Sequence, residues 1–118
     1  MIDDSKMARR VVADILSALG VDCIHASNGQ EGLDLLASRK DIDLVLSDVH
    51  MPAVDGLEFL ENAQLLNQTK PVPVVMLTNE SDPIFQVEAK KLGAKGWIAK
   101  PANAESIKNV YMKLVLTA

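Results

Sequence analysis

Two hydrophobic periods alternate along this chain, one typical of amphipathic helices and one typical of buried strands. Helical spacing of apolar residues predicts helices over residues 5–19, 28–39, 56 to about 66, 83–92 and a last segment after Asn103. Short segments that are apolar throughout predict strands over residues 21–26, 43–48, 71–78 and 96–101. The pattern therefore predicts five helices and four strands in strict alternation.

Residues with special backbone or capping properties lie at the predicted helix ends. Gly20 and Gly93 follow two of the helices, as glycines that end helices do. Asn28 with Glu31 three residues later forms a capping-box pattern, and Asn103 can cap the last helix. These signals support the boundaries that the periodicity predicts.

The predicted strands are apolar throughout instead of alternating, which is typical of a parallel sheet covered on both faces. The fold class is therefore predicted as α/β, a three-layer sandwich. Met1 and Ile2 precede two acids, Asp3 and Asp4, and we interpret them as the remnant of a first strand. We expect that the rest of that strand is largely missing from the sequence.

Composition narrows the class of protein. The 118 residues suit one domain over 1–118, and a hydrophobic content of 48% with only 3% aromatic residues predicts an aliphatic core. A net charge of −4 argues against direct binding of nucleic acid. The single Cys23 suits a reducing compartment, and no apolar run is long enough to span a membrane. We expect a soluble cytoplasmic domain with no membrane partner.

Polar side chains end the predicted strands, and the carboxyl ends of parallel strands meet at one edge of a sheet. Asp48, Thr78 and Lys100 end three strands, and Asp3 with Asp4 would end the first. Three clustered carboxylates repel one another and call for a cation, and all-oxygen ligands suit Mg²⁺. The residues at the strand ends therefore predict a Mg²⁺ site.

An aspartate beside Mg²⁺ can act as a nucleophile toward a phosphoryl group and form an aspartyl phosphate. Lys100 and Thr78 would then bind the added phosphoryl oxygens by charge-assisted and neutral hydrogen bonds.

Several short motifs in this order resemble the receiver domain of bacterial two-component response regulators, the CheY-like family. They are DDS at 3–5, SDVHMPAVDG at 47–56, MLT at 76–78 and GWIAKP at 96–101. The resemblance covers essentially the whole chain and implies a flavodoxin-like parallel sheet of strand order 2-1-3-4-5. Strand 1 is central in that order. We expect that the chain omits residues of the natural protein, that another chain's segment fills the gap, or that the sheet is incomplete with a weakened Mg²⁺ site.

The resemblance implies a role for each residue of the site. Asp48 is the phosphoacceptor and receives its phosphoryl group from a sensor histidine kinase or a phosphotransfer protein. Asp4 binds Mg²⁺ directly, Asp3 binds it through water, and His50 contributes its backbone carbonyl. Lys100 pairs with the phosphoryl group. Such a domain assists its own phosphorylation and dephosphorylation but is not an enzyme in the ordinary sense.

The resemblance also implies a switch. Thr78 moves toward the phosphoryl group, and an aromatic residue on the last strand rotates inward behind it. Tyr or Phe is usual at that position, and Trp97 stands there in this chain. The face formed by the fourth helix, the last strand and the last helix is expected to contact a downstream protein or a second copy.

Two other functions are compatible with parts of the pattern. A phosphatase of the haloacid dehalogenase type also uses a Mg²⁺-bound aspartyl nucleophile, but it normally has a second Asp where His50 stands. A receiver-like docking module that is never phosphorylated would not need the complete set of acids, Thr78 and Lys100.

Overall fold

A computed structural model describes residues 1–49, 55–66, 72–78, 83–100 and 102–116. Its helices are α1 (Lys6–Ala18), α2 (Gly29–Ser38), α3 (Gly56–Leu66), α4 (Pro83–Lys91) and α5 (Ala104–Tyr111), and a π-helical turn over Met112–Leu116 continues α5. Its strands are β1 (Val45–Asp48), β2 (Val74–Thr78) and β3 (Gly96–Ala99). The five predicted helices are therefore confirmed, and the bounds of the first four agree with the prediction to within a residue.

The capping residues explain where the helices begin and end. The Asn28 side chain accepts a hydrogen bond from the Glu31 backbone N–H at 2.9 Å, which satisfies one of the free donors at the start of α2. The Glu31 carboxylate reaches back to the N–H of Ser27 at 3.2 Å, one residue earlier than a capping box requires. Gly20 and Gly93 follow α1 and α4 with φ of 77° and 104°, a conformation that favours glycine.

The three strands form one parallel sheet in the order β1-β2-β3, with Val45 opposite Val74 and Val75 opposite Gly96. Ile2 extends this sheet beyond β1, because it forms parallel bridges with Ser47 on one side and with Ala26 on the other. Ala26, Ile2, β1, β2 and β3 therefore lie side by side in the succession that the predicted strand order 2-1-3-4-5 requires, with Ile2 in the place of its strand 1. The flavodoxin-like fold class is confirmed.

The strand expected over residues 21–26 is wrong as a strand, since only Ala26 pairs with the sheet. Ala26 bridges to Ile2, and before it the Met1 N-terminal ammonium donates a hydrogen bond to the carbonyl of Ile24 at 2.9 Å. A cleft of about 370 Å³ lies beside them, between residues 20–24 and 39–46. The strands expected over 43–48, 71–78 and 96–101 are shorter in the structure.

Two hydrophobic cores sandwich the sheet. One core packs α2, α3 and α4 against one face and includes Ile2, Phe59, Leu60, Met76 and Ala89. The other packs α1 and α5 against the opposite face and includes Val12, Leu16, Leu77 and Ile107. This arrangement is the predicted three-layer sandwich. Within the described ranges, no helix has the length and apolar character needed to cross a membrane.

Candidate functional site

The three predicted acids come together at the carboxyl edge of the sheet. Asp3, Asp4 and Asp48 each offer a carboxylate oxygen within 4.8 Å of the others. Asp3 and Asp48 are buried, with 1% and 8% of their surface exposed, whereas Asp4 is exposed. Two of the three charges are therefore shielded from water, and the third lies at the rim.

The chain holds Asp3 at several points. Its backbone N–H donates to the carbonyl of Ala26 at 3.1 Å, and its Oδ1 accepts the N–H of Ser5 at 2.9 Å. Its own carbonyl oxygen accepts a hydrogen bond of 2.6 Å from Nη1 of Arg9 on α1. The acid is thus fixed between the sheet and the first helix.

Lys100 joins the two buried acids. Its Nζ lies 3.0 Å from Oδ1 of Asp48 and 3.2 Å from Oδ2 of Asp3. Burial alone would lower the pKa of Lys100. The hydrogen bonds to Asp48 and Asp3, together with the charges of both acids, outweigh this effect, so the pKa lies above its usual value. Lys100 therefore stays a cation at neutral pH.

Local backbone contacts orient Asp48. Its Oδ1 also accepts the N–H of Val49 at 2.8 Å, and its carbonyl accepts the hydroxyl of Ser47 at 2.9 Å. The first turn of α3 packs directly on this backbone, because the N–H of Gly56 donates to the carbonyl of Val49 at 2.7 Å. A Cβ at Gly56 would lie 2.7 Å from the Cα of Val49, so only glycine fits without a shift.

Thr78 ends β2 next to the strand that carries Asp48, and Trp97 lies on β3. Thr78 is buried, and its carbonyl accepts the N–H of Lys100 at 2.9 Å. Trp97 is half-buried opposite Met76 and packs on the α2/α3/α4 core. Because side chains alternate along a strand, Thr78 shares a face with Met76 and therefore with Trp97.

The structure thus brings together Asp3, Asp4, Asp48 and Lys100 as the sequence predicts, with Thr78 at the same edge. His50 lies outside the described residues, so its carbonyl stays a prediction. Arg9 is not among the residues that the sequence predicts for this site. A basic residue on the first turns of the helix that follows an acid pair is the signal that could have found it.

The residues of the site fit a divalent cation. Three carboxylates face one ammonium group, so the cluster carries an excess of negative charge. Among the residues that the structure describes, the ligand atoms of this cluster are carboxylate oxygens, and one of the three acids, Asp4, is exposed to water. This is the donor chemistry that Mg²⁺ prefers.

Comparisons with known proteins agree with this geometry. Residues 1–111 match the response regulator receiver domain family. A chemotaxis protein CheY homolog of Campylobacter jejuni is 30% identical over 109 residues, which are 92% of this chain and 84% of that protein. The crystal structure of CheY4 from Vibrio cholerae is 34% identical with a TM-score of 0.88, covering 96% of this chain and 93% of that one.

A more distant structure shares the fold. It is the receiver domain of a sensor histidine kinase from Pseudomonas aeruginosa, with a magnesium ion coordinated in its active site cleft. It is 17% identical with a TM-score of 0.88, covering 98% of this chain and 94% of that one.

Proposed function

Because the chain belongs to the response regulator receiver domain family, the receivers of two-component signalling, we propose that it is a switch operated by phosphorylation of Asp48. The observation that carries the proposal is Lys100, whose ammonium contacts both Asp48 and Asp3 at the carboxyl edge of the sheet. The proposal takes residues 1–118 as one receiver domain that acts in the cytoplasm.

In this proposal Asp3, Asp4 and Asp48 hold Mg²⁺, with the carbonyl of His50 as a further ligand. The magnesium ion in the related Pseudomonas receiver supports this choice of metal. When bound, the ion supplies positive charge that offsets the charge of an incoming phosphoryl group. Asp3, buried and hydrogen-bonded through its side chain to Ser5 and Lys100, is the acid suited to bind through water.

The proposed reaction is attack by a carboxylate oxygen of Asp48 on the phosphorus of a phosphohistidine. A new O–P bond forms on Asp48, the donor's P–N bond breaks, and the imidazole leaves with that electron pair. Val49 and Lys100 both bond Oδ1 of Asp48, and these bonds fix the orientation of the attacking carboxylate. Lys100 then pairs with the transferred phosphoryl group. The donor is a sensor histidine kinase or a phosphotransfer protein.

The proposed output passes through Thr78 and Trp97. Thr78 lies in the next strand, one position beyond the residue opposite Asp48, and its hydroxyl turns toward a phosphoryl group on Asp48. Trp97 shares its face and repacks in response, as a shift between two existing states. The face of α4, β3 and α5 transmits the change to a downstream protein or a second copy of the chain.

Labelling with acetyl phosphate in the presence of Mg²⁺ tests this proposal. Asp48→Asn removes the nucleophile and is expected to abolish labelling, as judged by the mass of the intact protein. Asp14→Asn is the matched control, since Asp14 is an exposed acid on α1, and it should label as wild type does. Labelling of Asp48→Asn at the wild-type rate would overturn the assignment.

A further inference from the structure

Arg9 contacts the acid pair Asp3–Asp4 through a backbone carbonyl instead of a carboxylate. Its Nη1 lies 2.6 Å from the carbonyl oxygen of Asp3, a short hydrogen bond with a charged donor. The side chain is half-buried on α1, one turn after the Ser5 cap. The bond therefore ties the first helix to the loop that carries both acids.

The position of this bond bears on Asp4 more than on Asp3. The carbonyl of Asp3 and the N–H of Asp4 belong to one planar peptide group. A donor that holds the carbonyl oxygen therefore also fixes the orientation of the bond that leads to the Cα of Asp4. Asp4 is exposed, and across the described part of the chain its carboxylate takes part in no hydrogen bond or ion pair. Its placement depends on the peptide that Arg9 holds.

Arg9 differs in this respect from Lys100, the other cation that contacts the acids. Lys100 bonds Oδ2 of Asp3 and Oδ1 of Asp48, oxygens that a metal ion or a phosphoryl group would also use. Arg9 bonds a carbonyl oxygen and leaves the carboxylates free for ligands. It can therefore keep its bond while the site is occupied.

We propose that Arg9 is a positioning residue for the divalent cation, and that it raises the affinity for Mg²⁺ by fixing the peptide that carries Asp4. This inference rests on the proposed function, since it requires that the acids bind Mg²⁺.

Two effects of Arg9 have opposite signs, so that an experiment can separate them. As a nearby positive charge, Arg9 repels a second cation, and its removal would tighten Mg²⁺ binding if charge alone mattered. As a positioning residue, Arg9 raises the affinity for Mg²⁺, and removal of Arg9 would lower that affinity. Loss of a partner that orients a metal ligand typically costs about 10-fold to 100-fold in affinity.

The test is titration calorimetry of the complete chain with MgCl₂, without any phosphodonor, at roughly 0.15 M salt where distant surface charges are screened. Arg9→Met keeps the length of the side chain and removes the guanidinium, and it is expected to weaken Mg²⁺ binding about tenfold. Arg9→Lys keeps a charged donor and should restore part of the loss.

The neighbouring Arg10 provides the matched control, because it is exposed on the same helix and forms no hydrogen bond or ion pair within the described residues. Arg10→Met removes the same charge and should change the affinity by less than about twofold. A second readout needs no metal. The amide of Asp3, which donates to the carbonyl of Ala26, should exchange its hydrogen faster in Arg9→Met than in wild type or in Arg10→Met.

The outcomes separate the two proposals. Unchanged or tighter Mg²⁺ binding by Arg9→Met, with wild-type binding intact, would overturn the role of Arg9 alone. Failure of the wild-type chain to bind Mg²⁺ would overturn the metal site and, with it, this inference. If Arg9→Met does not fold, the comparison of Arg9→Lys with Arg10→Lys decides. Equal affinities in those two variants would count against positioning.

Discussion

The two ends of the sheet differ in how closely their residues contact one another. At the carboxyl edge, Asp3, Asp48 and Lys100 contact one another, and the backbone around them is hydrogen-bonded. At the amino end, the segments over residues 20–24 and 39–46 leave a cleft of about 370 Å³ between them. Ile2 lies at the boundary, with a bridge to each side. Side-chain ion pairs thus join the residues of the carboxyl edge, whereas the backbone bridges of Ile2 join the middle of the sheet, so the two regions can be disturbed separately.

Ile2→Ala is the change expected to have the largest effect on stability, because Ile2 bridges to Ser47 and Ala26 and its side chain is buried. Ile2 is buried in the α2/α3/α4 core, and loss of a buried isoleucine side chain typically costs about 2–5 kcal/mol. We expect the free energy of unfolding in urea to fall by about 3 kcal/mol.

Val11→Ala is the control for that measurement, since Val11 on α1 is 47% exposed and should change stability by less than about 0.5 kcal/mol. Equal stability of wild type and Ile2→Ala would show that Ile2 does not anchor the sheet.

Gly56→Ala disturbs the carboxyl edge of the sheet and leaves Ile2 unchanged. The added Cβ would press on the backbone of Asp48 and Val49, and overpacking of this kind typically costs about 1–3 kcal/mol. We expect a loss of about 2 kcal/mol in the free energy of unfolding, with slower labelling of Asp48 by acetyl phosphate.

Gly96→Ala is the matched substitution, because the nearest atom to its Cβ would be Cγ2 of Val75 at an ordinary 3.5 Å. If both alanine variants were equally stable, close packing at Gly56 would not be the cause.

Lys100→Met is expected to have the smallest effect on stability, about 1 kcal/mol without Mg²⁺, because the ammonium is partly exposed. The pKa of Lys100 is raised in the folded state, so its stabilisation is fully present below the ordinary value of 10.5 and is lost as the pH rises through the higher folded value.

The difference in stability between wild type and Lys100→Met should therefore stay constant from pH 6 to pH 9, as measured by urea unfolding, and shrink only above about pH 10.5. Arg39→Met removes an exposed ion pair with Asp41 and is the control, with little expected change. A difference that disappears between pH 6 and pH 9 would contradict the assigned titration.

Much of the fold could be predicted because its signals are local. The glycines after α1 and α4, the Asn28 cap and the apolar strands all depend on residues close in sequence. The error over residues 21–26 has a different cause. Pairing in a sheet depends on a partner distant in sequence, and no pattern within those six residues shows which of them bond to that partner.

Some residues of the candidate site could likewise be predicted from the sequence, and one could not. Acids and a lysine at strand ends are visible as residue types in the sequence, and the parallel sheet brings them to one edge. Arg9 was missed because it bonds a backbone carbonyl, and every residue has one. The contact becomes apparent only when the angle between α1 and the sheet is known.

The short central segment also couples the site to the edge of the sheet. Three hydrogen bonds, from Asp3 to Ala26, from Ala26 to Met1 and from the Met1 ammonium to Ile24, join the residues around Ala26 to the rest of the sheet. One of these three uses the N–H of a proposed metal-site acid, so local opening of this edge also releases that acid. By linkage, any ligand that favours the ordered acid raises the free energy of that opening. Hydrogen exchange of the amide of Ala26 therefore reports whether the proposed metal site is occupied.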